Sequence, residues 1–149
     1  MWDALRHFDA SREVWVESES KKVGELRVPE ALIERMRASP CVRIDLALDE
    51  RVKLLMEEYD FFVKDVPAFC ERLDALRALR GNEVVNAWQG AARAGRIESV
   101  VRDLLVTHYD PVYLESMQRN FAGFEAAVVL APVDGSHATW EQVARSLNE

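Results

Sequence analysis

From residue 30 onward, apolar side chains recur mostly at helical spacing, interrupted by short continuous apolar runs. Ala31, Leu32, Ile33 and Met36 fall on one face of a helix whose first turn holds Pro29, with Glu34, Arg35 and Arg37 on the other face. Ser39-Pro40 ends it, since proline disfavours helical backbone at the residue before it. Residues 41–46 read as a strand, and Asp49 is placed to cap a helix carrying Val52, Leu55, Met56, Tyr59, Phe62 and Val63. Upstream, Val14-Trp15-Val16 is a short β-prone run that empties into the polar residues 17–22. Trp2, Leu5 and Phe8, spaced three apart, read as the last turns of a helix that begins further upstream.

Beyond Asp65 the pattern becomes wholly helical. Phe69, Leu73, Leu76 and Leu79 mark one helix. Val84, Val85, Trp88, Ala91 and Ala92 mark a second, capped by Asn82 and closed by Gly95. Ile97, Val100, Val101, Leu104, Leu105 and His108 form the stripe of a third. Asp110 reads as the N-cap of a new helix over residues 112–120 that starts at a sharp corner. Residues 127–131 are a third strand, and Thr139 with Gln142 reads as a capping box for a last helix built on Trp140, Val143 and Leu147. This order predicts an α/β chain: a parallel sheet of about three strands with a large helical insertion over about residues 65–120. An apolar strand opening into a polar loop is how parallel sheets present their functional edge, which directs attention to residues 17–22.

Composition narrows the class. In 149 residues, 49% hydrophobic and 30% charged side chains give the balance of a packed globular protein, so disorder is not the default reading. The longest apolar runs, such as residues 126–132, are far short of the roughly 20 residues that span a bilayer. The N-terminus lacks the apolar core and cleavage site of a secretory signal, so a cytoplasmic location is expected. A net charge of −7 argues against wrapping nucleic acid by bulk electrostatics. Any such contact must be local or be supplied by another part of the protein, and Arg77, Arg80, Arg93, Arg96 and Arg102 make the helical insertion the locally basic part. Cys41 and Cys70 form no CxxC pair and the three histidines have no metal-ligand spacing, so buried, inert thiols and no metal site are expected.

Two places could carry chemistry. Residues 14–22 resemble the strand-end acidic segment that helps hold Mg²⁺ beside nucleotide phosphates, with Lys21 and Lys22 available to a phosphate. The partner of such a segment, a Gly-x4-Gly-Lys-Ser/Thr phosphate loop, is not in the chain. Gly90 and Gly95 have the spacing, but Arg96 and Ile97 follow them and the intervening residues are helical in character. The second place is the cluster His108-Tyr109-Asp110-Pro111-Val112-Tyr113. It is either a packed helix corner or a corner that aims His108, Tyr109, Tyr113 and Arg119 at a nucleotide base or phosphate.

Read in order, the segments WVESESKKVG (15–24), VPEAL (28–32), ERM (34–36), DERV (49–52) and HYDPVY (108–113) resemble the tRNA 2-selenouridine synthase family. That resemblance implies a partial P-loop-type sheet, with residues 1–149 forming the C-terminal portion of a P-loop NTPase-like domain. It implies an enzyme that replaces sulfur by selenium in wobble 2-thiouridine of tRNA. Selenophosphate is the selenium donor, and the intermediate is geranylated from geranyl diphosphate. In the family, a rhodanese-like domain with an implicated cysteine and a Walker A loop precede the part resembled here. No catalytic residue and no cofactor held by this chain alone is therefore expected, and those N-terminal segments and tRNA are the implied partners. On this chain the resemblance implies Glu17 and Glu19 beside the diphosphate or Mg²⁺ position. Ser18, Ser20 and Lys22 would be loop ligands and Arg51 a phosphate contact. His108, Tyr109, Asp110, Tyr113 and Arg119 would bind tRNA or shape the prenyl pocket. The residues alone also leave open a nucleotide-kinase-like chain whose helical insertion acts as a lid, and a non-enzymatic helical interaction module.

Overall fold

The computed structural model describes residues 6–9, 11–18 and 21–148, with the side chains of Val23 and Phe62 outside the description. The helical reading of Trp2, Leu5 and Phe8 falls mostly outside it. The fold is mixed α/β, mostly helical, with a small parallel sheet.

β1 (Lys22–Val23) and β2 (Leu26–Arg27) form a short antiparallel hairpin that begins where the polar residues 17–22 end. Helix α1 (Glu30–Ala38) follows Pro29 and buries Ile33. β3 (Val42–Ile44) then leads to α2 (Leu48–Glu58) and α3 (Asp60–Lys64), which break at Tyr59 where one continuous helix was expected. The cap of α2 is Ala47 rather than Asp49, whose carboxylate instead meets Arg102 at 2.5 Å. β4 (Val128–Leu130) pairs in parallel with β3, Val42 opposite Val128 and Ile44 opposite Leu130. Across this pair the chain crosses over through the whole helical segment.

Among the described residues, two parallel strands form where about three were expected. Residues 13–18 carry the β-prone Val14-Trp15-Val16 but join no backbone ladder among the described residues. β propensity records how a side chain fits a half-buried pleated surface, and it cannot make a strand without a hydrogen-bonding neighbour. The segment is tied down by side chains instead: the Trp15 indole donates to the Leu147 carbonyl at 3.0 Å.

The core lies in the helical insertion. α4 (Val66–Asp74), α5 (Arg77–Arg80), α6 (Asn82–Arg93) and α7 (Ile97–Leu104) enclose Phe69, Leu73, Val85, Trp88, Ala92 and Val100. The helix expected to run from Phe69 to Leu79 is two, and Leu79 points outward, 71% exposed. Gly95 closes α6 as expected, at φ 78°, a left-handed conformation that glycine adopts without steric cost. That makes the Gly90–Gly95 spacing a helix end and not a phosphate loop. Polar groups inside are paired: the buried Gln89 amide donates to the Cys70 carbonyl at 2.8 Å and to Asp74 at 2.7 Å, and the Trp88 indole donates to Asp103 at 2.5 Å. Cys70 is buried, whereas Cys41 is only half-buried.

The expected sharp corner at Asp110 is absent. α7 runs through a five-residue π-turn (Leu105–Tyr109) directly into α8 (Asp110–Asn120), and Asp110 is a helical residue, not an N-cap. Pro111 explains the wide turn. Its ring would collide with the carbonyl four residues back, and it has no N–H to donate. A π-turn, in which the Asp110 N–H reaches the Leu105 carbonyl, moves the backbone aside. The last helix, α9 (His137–Ser146), also starts earlier than the Thr139–Gln142 reading placed it. Ser136 is its cap, accepting from the Thr139 N–H, and Thr139 is buried with its hydroxyl donating to Asp134 at 2.6 Å.

Two outcomes test this architecture. Leu73→Ala removes a side chain that is 2% exposed and is expected to lower unfolding stability by about 2–5 kcal/mol in urea titration, whereas Leu79→Ala should change it by less than about 0.5 kcal/mol. Hydrogen bonds from Thr139 and Ser136 hold the Asp134 carboxyl at about 2 against an ordinary 3.8. A carboxylate depressed in the folded state stabilises above its unfolded value and loses that contribution as pH falls through the folded one. Asp134→Asn should therefore flatten the acid limb of the stability profile between about pH 4 and pH 2, measured by thermal melts across that window.

Candidate functional site

The N-terminal segment, α1 and α8 enclose a groove of about 250 Å³. Ile33 and Met36 of α1 and Met117 and Phe121 from α8 and its end give it apolar walls. At its rim stand two cations, Lys21 and Arg37. Lys21 also pairs with Glu30 at 3.1 Å; the Arg37 side chain has no hydrogen-bond or ion-pair partner among the described residues. Tyr113 lines the groove from α8, and the Ser18 hydroxyl approaches it by donating to the Met117 sulfur at 3.4 Å. A wider depression over Glu141, Ala144, Arg145 and Asn148 belongs to one face of α9 and is open to solvent.

The structure separates the residues singled out in the sequence into two groups. Ser18 and Tyr113 meet at the groove. Lys22, in β1, follows Lys21 in sequence but does not itself line the groove, and Glu17 is exposed in the unladdered segment before it. Glu19 and Ser20 lie outside the described residues. Arg51, by contrast, forms a bidentate pair with Asp110, its two guanidinium nitrogens 2.9 and 2.5 Å from the carboxylate oxygens. That hydrogen bond holds Arg51 charged, above its ordinary value, against the opposing effect of burial. The pair ties α2 to the start of α8, so both residues are engaged in joining helices. Arg119 pairs along its own helix with Glu115 at 3.1 Å, and both are exposed.

His108 and Tyr109 sit in the π-turn, their rings edge to face with centroids 5.0 Å apart. Tyr109 and Tyr113 are 56% and 52% exposed. His108 is half-buried; burial first, and the Arg80 guanidinium second, push it below the usual histidine range. Two charged members of these clusters were not picked out in the sequence as site residues. Arg37 was assigned to the polar face of α1, and Arg80 was counted only among basic helix positions. No local signal marks either one, since the groove and the Arg80–His108 contact join segments far apart in sequence.

Among the described residues, no group of three or more His, Cys, Asp or Glu side chains is placed to hold a metal ion, and no helix is long and apolar enough to cross a membrane.

The fold and its groove thus define a mixed α/β, mostly helical chain with an apolar cleft, two cations at the cleft's rim and exposed aromatics beside it. Residues 1–87 match the family model described as the tRNA 2-selenouridine synthase AAA domain, more than half of the sequence, and the chain belongs to that family. It is also 43% identical over 58 residues to a tRNA 2-selenouridine synthase of Cupriavidus necator; the aligned stretch is 38% of this chain and 16% of that relative. No solved structure matches. The groove draws on both sides of the matched span: Ser18, Lys21, Met36 and Arg37 lie inside it, Tyr113 and Met117 beyond it.

The Arg51–Asp110 pair is about one-third exposed on each side. A double-mutant cycle with Arg51→Ala and Asp110→Ala is expected to give a coupling of about 1 kcal/mol in unfolding free energy, falling at high salt, as a partly solvated bidentate pair requires. A coupling of zero at low salt would show that the pair does not hold α2 to α8.

Proposed function

We propose that this chain is the AAA-domain portion of a tRNA 2-selenouridine synthase, an enzyme that replaces sulfur by selenium in wobble 2-thiouridine of tRNA through a geranylated intermediate. Geranyl diphosphate supplies the prenyl group and selenophosphate the selenium. The match of residues 1–87 to the family carries this reading.

The groove supports it chemically. At about 250 Å³ it is at or below the lower end of ligand cavities, about 300–1,000 Å³, so it suits a slender chain better than a fused ring system. Its walls are apolar thioether, aliphatic and aromatic groups, as a prenyl chain requires. Lys21 and Arg37 at the rim, with Lys22 and Ser18 adjacent, suit a diphosphate, because guanidinium and ammonium donors bind phosphate oxygens with charge-assisted hydrogen bonds. The exposed Tyr109 and Tyr113 rings and the neighbouring His108 suit an unstacked tRNA base, which RNA-binding surfaces commonly hold by aromatic stacking. This local surface reconciles RNA binding with a net charge of −7.

Cys41 and Cys70 are not assigned the family's catalytic role, and the phosphate-cradling loop is not in this sequence. In this reading, the rhodanese and Walker A segments are supplied from elsewhere in the enzyme. Ile44, Val128 and Val129 of the small sheet are 46–62% exposed and provide an apolar surface for them to pack against. A cytoplasmic location goes with the substrate.

The test is made in cells. The gene carrying this sequence is deleted or changed to Tyr113→Ala, and 2-thiouridine, its geranylated form and 2-selenouridine are quantified by mass spectrometry of tRNA nucleosides. Deletion should abolish 2-selenouridine and leave thiouridine. Tyr113→Ala, at an exposed position that leaves folding intact, should lower selenouridine several-fold. Unchanged selenouridine after deletion overturns the proposed function, and an unchanged level in Tyr113→Ala alone overturns the role given to the groove.

A further inference from the structure

At the π-turn, Arg80 makes two contacts that the proposed function does not use. The left-handed Gly81, at φ 81°, ends α5 and begins α6, placing Arg80 across from the turn at residues 105–109. One guanidinium nitrogen, Nη2, donates to the Thr107 carbonyl. In a regular helix that carbonyl would receive the N–H of residue 111, which proline lacks. Another nitrogen, Nε, lies 3.3 Å from His108 Nδ1. A guanidinium can only donate. The Nδ1 atom it meets must therefore be the unprotonated, accepting nitrogen of the imidazole, and the proton of the neutral ring resides on Nε2.

We infer that Arg80 is a positioning residue. It supplies the donor that Pro111 withholds from the π-turn, and it fixes His108 as the Nε2–H tautomer, a neutral hydrogen-bond donor presented beside Tyr109. A histidine held this way suits an acceptor on a ligand, such as a carbonyl or phosphate oxygen. It is poorly suited to take up a proton at Nδ1, because protonation there would break the Arg80 contact and set two cations side by side. The contacts stand on this chain's own side chains, so the inference holds whether or not the groove binds a prenyl diphosphate. Among the described residues, Arg80 is the charged group in hydrogen-bond contact with the ring, and Tyr109 is its aromatic neighbour.

The full 149-residue chain, with ¹⁵N-labelled histidine, tests this by NMR, His108 being assigned by the signal lost in His108→Gln. The expected wild-type ring has a pyridine-like Nδ1 and a protonated Nε2 at neutral pH. In Arg80→Ala, the Nδ1 signal should move toward the tautomer-averaged position and the His108 titration midpoint should rise. The Asp110 amide, which closes the π-turn on Leu105, should exchange faster with solvent. Arg80→Lys keeps the charge but loses the paired donors, and should reproduce the tautomer change with a smaller rise in midpoint. A wild-type Nδ1 that carries the proton overturns the inference without any variant. So do ¹⁵N shifts and a midpoint that stay unchanged in folded Arg80→Ala or Arg80→Lys.

Discussion

Packing of α6 against α4 and α7 is the interaction on which the remainder of the molecule depends. Val85, Trp88 and Ala92 present one continuous apolar face, and Phe69, Leu73, Ile97 and Val100 close over it. Polar groups inside that contact are paired rather than excluded. Gln89 links the Cys70 carbonyl to Asp74 and accepts from Arg77, and the Trp88 indole meets Asp103. Because an unpaired buried amide costs about 1–3 kcal/mol, these bonds fix the relative setting of the helices more sharply than area burial alone. With α7 fixed, the π-turn and α8 that continue from it are fixed as well.

The groove follows from that frame. α8 forms one wall and α1 the other, so the site joins α1, inside the span that matches the family, to α8, which lies beyond it. The Arg51–Asp110 pair locks the start of α8 onto α2, and α2 in turn packs on α7. Segments far apart in sequence, one inside the family match and one beyond it, therefore meet at one cleft, with Tyr113 on the α8 side. Binding energy gained by a ligand there would be felt by both parts.

Pro111 shows how one residue shapes a candidate site without touching a ligand. Its missing donor and its ring are incompatible with a tight α-turn, and the backbone answers with a wider one. That wider turn sets His108 against Arg80 and leaves Tyr109 outside. A break in the helix would have turned the chain away and separated His108 and Tyr109 from Tyr113.

Much of the architecture was legible from local sequence. Helical spacing located the insertion, Gly95 marked a real helix end, and residues 41–46 and 127–131 bracketed the two parallel strands. The same local rules misplaced Val14-Trp15-Val16, Asp49, Asp110 and Thr139. Each has the chemistry of a strand or a cap, but each found a longer-range or neighbouring partner that satisfied it better: Leu147 for Trp15, Arg102 for Asp49, Arg51 for Asp110, Asp134 for Thr139. The sequence by itself determined the family, the helical periodicity, the lack of a phosphate loop and which side chains could act. Tertiary structure alone decided which of them meet. Arg37 reaches the cleft and Arg80 reaches His108 across 28 residues of chain, and hydrogen bonds at such separations depend on packing that no local pattern encodes.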